Sequence, residues 1–177
     1  MDKNKFNKKR LLYNNSEDLY FLTYNTLLIL FYLDCKKESK SFKDYRKLAF
    51  LIPIISDEKK TTLLLDYYKN KTKPNRNIYR ELNRMYYESL ENIALIRYVL
   101  LILEKREIVV LVNDESKTNI YLNDFSKYEV FIKSARFKGE KERILELKSN
   151  ISRLKTINYM TFVENFFKVN GVVIWEN

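Results

Sequence analysis

Ile93-Ala94-Leu95-Ile96-Arg97-Tyr98-Val99-Leu100-Leu101-Ile102-Leu103, followed by the apolar run Ile108 to Val112, a polar turn and Thr118 to Leu122, decides the fold class. Ile93, Ile96, Val99, Leu100 and Leu103 recur at the three- and four-residue spacing of an amphipathic helix. Ile78, Leu82 and Met85 mark a helix before it, and the polar stretch Ser89 to Asn92 predicts a bend between the two. The five residues 113–117 then separate two strand-like runs and predict a hairpin. From Asn77 to Asn123 the order is that of a winged helix-turn-helix. Its second helix should read DNA, yet only Arg97 on it can form the bidentate hydrogen bonds that major-groove readout uses. A helix apolar on nearly all sides is usually buried on all sides. The reading is therefore a partner-holding winged helix, with Leu95, Tyr98, Leu101 and Ile102 as the candidate partner surface.

Outward from this unit the chain divides into a basic flexible leader, residues 1–14, and a single α-rich winged-helix-like domain, residues 15–177, that ends in a helical segment. The expected fold class is mainly α with a small β-hairpin wing and flanking helices. A first helix is expected from Asn15 or Ser16 to about Asp34. Ser41-Phe42-Lys43-Asp44 resembles a capping box for a second, with Tyr45, Leu48, Ala49, Ile52 and Ile55 as its buried stripe and a bend at Pro53. Asp57 should cap a third that runs through Tyr68. After the wing, Ser126-Lys127-Tyr128-Glu129 predicts another helix start, and Gly139 precedes a long helix with Ile144, Leu147, Ile151 and Leu154 as its seam. Thr161 to Glu164 restarts or kinks that helix, Asn170-Gly171 should end it in a left-handed cap, and Val172 to Trp175 is expected as a terminal strand that pairs with the wing or with another chain and carries Trp175 as a further candidate partner residue.

Composition excludes several chemistries. The 177 residues contain no histidine, one cysteine and two glycines. No zinc ligand set, glycine-rich phosphate cradle or His-activated nucleophile can be assembled, so no cofactor, metal or catalytic residue is assigned. Cys35 reads as a structural thiol. Asp114-Glu115-Ser116-Lys117 has the look of a nuclease acid-x-Lys element, but Asn and Asp are favoured in hairpin turns for backbone reasons alone. Leu19 to Leu33 is too short to span a bilayer and carries Asn25, so it reads as a core helix. A soluble, cytoplasmic protein without a membrane partner is expected.

The net charge is +10, and the first 90 residues hold 19 Lys/Arg against 11 Asp/Glu. Lys71, Lys73, Arg76, Arg80 and Arg84, with Lys69 and Tyr67, Tyr68 and Tyr79 among them, form the densest basic cluster and the candidate for DNA-backbone contact.

Several stretches resemble the small middle component of the three-component ABC systems, the family that includes the third protein of Lamassu-type bacterial defence. They are Tyr24-Asn25-Thr26-Leu27-Leu28-Ile29-Leu30, Phe42-Lys43-Asp44-Tyr45-Arg46-Lys47-Leu48-Ala49-Phe50-Leu51, and Leu101-Ile102-Leu103-Glu104-Lys105-Arg106-Glu107-Ile108. Arg153-Leu154-Lys155-Thr156-Ile157, Phe162-Val163-Glu164-Asn165-Phe166-Phe167 and Asn170-Gly171-Val172 complete the pattern, which spans most of the chain in order. It departs from the commoner pattern at Glu107, where a glycine often closes the helix. The resemblance implies a non-enzymatic subunit that works with an SMC-like ATPase and an effector, often a nuclease, in defence against phage or plasmids. It assigns no functional residue. The rival expectation from the residues alone is a stand-alone winged-helix DNA-binding protein, such as a repressor or plasmid replication factor; a metal-dependent nuclease rests on the turn motif only.

Overall fold

A computed structural model describes residues 18–69 and 73–175, so the leader, the expected helix start at Asn15 or Ser16, and Lys71 lie outside the described residues. Among those described, the chain is mainly helical with one two-stranded antiparallel hairpin. Helix α1 (Leu19–Tyr32) begins where the Asp18 carboxylate accepts from the Tyr20 N–H at 2.8 Å. From Asn25 to Phe31 every side chain of α1 is buried, which is why this segment is apolar with hardly any helical periodicity. Burial extends to Asn25, whose amide nitrogen donates to the Phe21 carbonyl.

The capping-box reading of Ser41 to Asp44 is corrected. Phe42 instead forms a β-bridge with Ile120, exchanging both backbone hydrogen bonds with it, and helix α2 (Lys47–Ile55) starts only after Asp44 has taken a left-handed turn at φ 61°. Phe42 is fully buried, and its side chain wins more by joining the core than the backbone would by starting a helix one turn earlier. Helix α3 (Glu58–Tyr67) is capped by Asp57 as expected, its carboxylate accepting from the N–H groups of Lys59 and Lys60.

The predicted bend between two helices is also corrected. One helix, α4 (Arg76–Lys105), runs unbroken for 30 residues from its cap Asn75. Ser89 and Asn92 do not interrupt it. They lie with Met85, Glu88 and Leu95 along one wall of an open groove of about 980 Å³, faced by Asp18, Phe21, Tyr24 and Asp57. The apolar stripe turns polar there because α4 crosses a groove, and resumes at Ile96, Val99, Leu100 and Leu103 where it meets the core again.

α4 closes at Arg106, and Glu107 takes φ 57° while the Ile108 N–H reaches back to the Leu103 carbonyl at 2.9 Å. This is the left-handed closure that glycine adopts without a Cβ penalty. Glu107 is exposed. Glu107→Gly is therefore expected to stabilise the fold by up to about 1 kcal/mol, read as a rise in the urea midpoint with unchanged slope; a lower midpoint would contradict the strain.

Strands β1 (Val109–Asp114) and β2 (Lys117–Leu122) pair from Val109↔Leu122 to Asp114↔Lys117, so the turn has two central residues rather than the expected five. β2 is flanked on its other side by Phe42 and Tyr45 and by Cys35, whose carbonyl accepts from the Leu122 N–H. Beyond the wing, Phe125–Tyr128 is a 3₁₀ turn that leads into the four-residue helix α5 (Glu129–Ile132). Gly139 does not precede the next helix but lies inside it, as the second residue of α6 (Lys138–Asn150). Contrary to the expected seam, α6 stops before Ile151 and Leu154, which are buried in the following turn. The carbonyls of Leu154, Lys155 and Ile157 turn away from a helical ladder to the Lys47 ammonium, at 2.9, 3.2 and 2.6 Å. Helix α7 (Tyr159–Phe166) restarts on the Asn158 cap, and Gly171 at φ 89° closes the region as expected. Among the described residues the segment 172–175 pairs with no strand; Val172 and Ile174 pack on the core, the Val172 N–H donates to the Phe167 carbonyl and the Trp175 N–H to the Tyr86 hydroxyl.

Candidate partner-binding site

Two of the four partner residues predicted on α4 stand on its outward face. Tyr98 and Leu101 are 53% and 49% exposed, whereas Leu95 and Ile102 are half-buried and Leu95 packs against the core. Tyr98 and Leu101 stand one turn apart on the side opposite Ile96, Val99, Leu100 and Leu103, so α4 is amphipathic toward the core and still presents large apolar groups to solvent. Arg97, the single base-reading candidate, is exposed beside them.

Trp175 does not join this patch. It is 63% exposed and tied through its backbone to Tyr86, which lies twelve residues, or about 18 Å, along α4 from Tyr98. Tyr86 itself is fully buried among Phe50, Tyr87 and Phe167, with ring centroids 5.3–6.1 Å away. The predicted surface is thus two separate places: an apolar face toward the wing end of α4, and an exposed indole anchored nearer its other end.

The predicted basic cluster is only partly assembled. Lys73, Arg76 and Arg80 are exposed at the start of α4, but Arg84 is bound to Glu81 at 2.7 Å and approaches Glu88 at 3.9 Å. Glu81 lies among these cations and Glu88 and Glu91 follow within two turns on the same helix, which weakens the local field.

A second concentration of positive charge was illegible in the sequence because its members come from four separate segments. Lys36, Lys40, Lys133, Lys141, Lys148 and Lys155 gather around the C-terminal end of α1. Lys148 donates to the Tyr32 carbonyl at 2.9 Å, Lys155 reaches the Asp34 carbonyl at 3.4 Å, and Lys141 stands over the Tyr32 ring.

Cys35 is fully buried, and burial pushes its thiol up to about 12, away from thiolate chemistry. Asp114 pairs with Lys117 across the hairpin turn at 3.3 Å, with Glu115 at φ 48° between them. Among the described residues no group of three or more acids, cysteines or histidines is placed to hold a metal ion, and no helix is long and apolar enough to cross a membrane.

Compared with protein families, with curated proteins and with solved structures, the chain matches none.

Proposed function

We propose that this chain is a non-catalytic accessory subunit that bridges or positions an SMC-like ATPase and a nuclease effector in a bacterial defence complex against phage or plasmids. The observation that carries the reading is the outward face of α4, where Tyr98 and Leu101 stand exposed on a long helix whose other face is locked into the core. Aromatic and aliphatic anchors on rigid elements dominate interface energetics because they bury large area with little lost freedom. The sequence resemblance supplies the identity of the partners; the exposed anchors supply a surface on which to hold them. The fold in this reading is winged-helix-like, supported by the sheet order Phe42–β2–β1 beside the helices α2 to α4.

The experiment is a search of the neighbouring genes for a coiled-coil ATPase, followed by co-expression, purification and titration of that ATPase with this chain; the absence of such a gene would count against the reading. Tyr98→Asp and Leu101→Asp are expected to weaken the complex about a hundredfold while the isolated subunit keeps its melting temperature. Unchanged affinity in both variants would remove the face from the interface. A soluble dimer that selects a defined operator from random DNA would replace the reading with a stand-alone DNA-binding protein.

A further inference from the structure

We infer that the lysines around the C-terminal end of α1 form a sequence-independent binding site for the phosphate backbone of duplex DNA, distinct from the α4 face. Lys36 comes from the segment after α1, Lys40 from the following 3₁₀ turn, Lys133 from the end of α5, Lys141 and Lys148 from α6, and Lys155 from the turn that Lys47 fixes. Their heads converge on one helix end. Lys36 stands over the Phe31 and Phe125 rings at 4.3 and 4.2 Å, and Lys141 over the Tyr32 ring at 5.8 Å. Lys148 and Lys155 hold the Tyr32 and Asp34 carbonyls. Lys133 is close enough to act on the Tyr32 phenol, whose hydroxyl donates to the Ile132 carbonyl at 3.4 Å.

Capping a helix C-terminus is a structural use for cations, but it does not require this many. The end of a helix dipole amounts to about half a negative charge. The carboxylates paired within the group are two, Asp34 with Lys40 at 2.7 Å and Glu129 with Lys133 at 2.6 Å. Six lysines against that demand leave about three to four positive charges unpaired within the group; α6 also carries Glu140, Glu142 and Glu146, of which Glu142 faces Lys138 at 3.9 Å. Lys141 and Lys148 lie two turns apart on α6, about 10 Å along its axis, a spacing that reaches more than one phosphate of a duplex. The Lys36 ammonium lies over the Phe31 and Phe125 rings and the Lys141 ammonium over the Tyr32 ring, so these two charges are already ordered on the patch, which limits the entropy lost when they meet phosphate. An anionic membrane is the other polyanion that such a patch fits. Val130 and Phe131 are exposed on α5 nearby, but two side chains offer less apolar area than interfacial docking buries.

The inference goes beyond the bridging role and is tested apart from it. Binding of the full chain to a fluorescein-labelled 30-base-pair duplex, followed by anisotropy between 50 and 200 mM NaCl, should give a log–log salt slope of about −3 to −4 on any sequence. The double variant Lys36→Gln, Lys141→Gln, whose lysines touch only ring faces, should lose about two units of slope and at least tenfold in affinity at 50 mM salt. Lys36→Arg with Lys141→Arg should keep both, which separates charge from packing. Arg76→Gln with Arg80→Gln should leave the slope unchanged. An unaltered slope in the glutamine pair, or its loss in the α4 arginine pair, would overturn the assignment. Tight lysine-dependent binding to phosphatidylserine vesicles without duplex binding would overturn it in favour of a membrane. Tyr98→Asp is expected to leave duplex binding intact, so this site and the α4 interface can fail independently.

Discussion

Replacing Lys47 by methionine is expected to destabilise the protein by about 2–5 kcal/mol and to abolish a pH dependence of stability that the parent chain shows between pH 7 and 9. Lys47 is fully buried, its ammonium 4.4 Å above the Phe42 ring and bonded to the carbonyls of Leu154, Lys155 and Ile157. The Lys155 carbonyl also accepts from the Lys43 N–H and stays satisfied without Lys47. Those of Leu154 and Ile157 have no other donor among the described residues, and each orphaned buried acceptor costs about 1–3 kcal/mol. Methionine preserves the stem packing, so the loss measures the polar contacts.

Burial pushes the Lys47 ammonium down to about 7 from an ordinary 10.5, with Asp44 opposing the shift. Between pH 7 and 9 the unfolded chain therefore holds a proton that the folded chain has largely released, and raising the pH favours the folded state by up to about 1.4 kcal/mol per unit. Below pH 7 both states hold the proton and the dependence levels off. Above pH 9 the buried Cys35 acts in the opposite direction, because its thiol is raised to about 12 from 9.0 and ionises first in the unfolded chain. Urea denaturation of parent and Lys47→Met at pH 7, 8 and 9 checks this. Parallel curves for the two proteins would show that Lys47 does not titrate in the window.

Phe50→Ala should cost about 4 kcal/mol. Phe50 is 1% exposed at the centre of a ring cluster, with centroids of Tyr86, Tyr159, Phe162 and Phe167 between 5.5 and 6.2 Å away. These rings join α2, α4, α7 and the turn after α7, so truncation opens a cavity where four segments meet. Phe50→Leu keeps most of the volume and loses the ring pairs, for an expected cost of about 1–2 kcal/mol. Thermal or urea unfolding decides, and equal losses for Ala and Leu would mean that the site collapses around either side chain.

What could be read from the sequence was what local chemistry determines. Asp57 as a cap, the hairpin, and Gly171 at φ 89° each follow from a few adjacent residues. Where the chain answered to distant partners, the local signals misled. Ser41 to Asp44 has the composition of a helix start, but Phe42 is drawn to β2 from 78 residues away. Leu154 continues the spacing of Ile144 and Leu147, but its carbonyl is bound by Lys47 from a different helix. Lys47 itself looked like an ordinary surface residue, because nothing adjacent to it announces three carbonyls supplied from residues 154–157. The same holds for the candidate surfaces. The excess of apolar positions on α4 points to an exposed face, and Tyr98 and Leu101 are exposed there, whereas no local pattern shows that Trp175 is tied through its backbone to Tyr86. The lysines around α1 had no local signature, since their spacing in sequence runs to more than a hundred residues.

The continuity of α4 also fixes a length. Thirty residues at 1.5 Å each make a rod of about 45 Å, with the wing joined directly to one end and the Trp175 tail bound to it by way of Tyr86. A jointed pair of helices would let two partners, one held beside the wing and one at the tail, approach or swing apart. In the proposed bridging role a single rod would work as a ruler, setting the separation over the roughly 28 Å of helix between Tyr86 and Lys105, and a push applied at one of these points would reach the other as translation instead of being absorbed at a hinge.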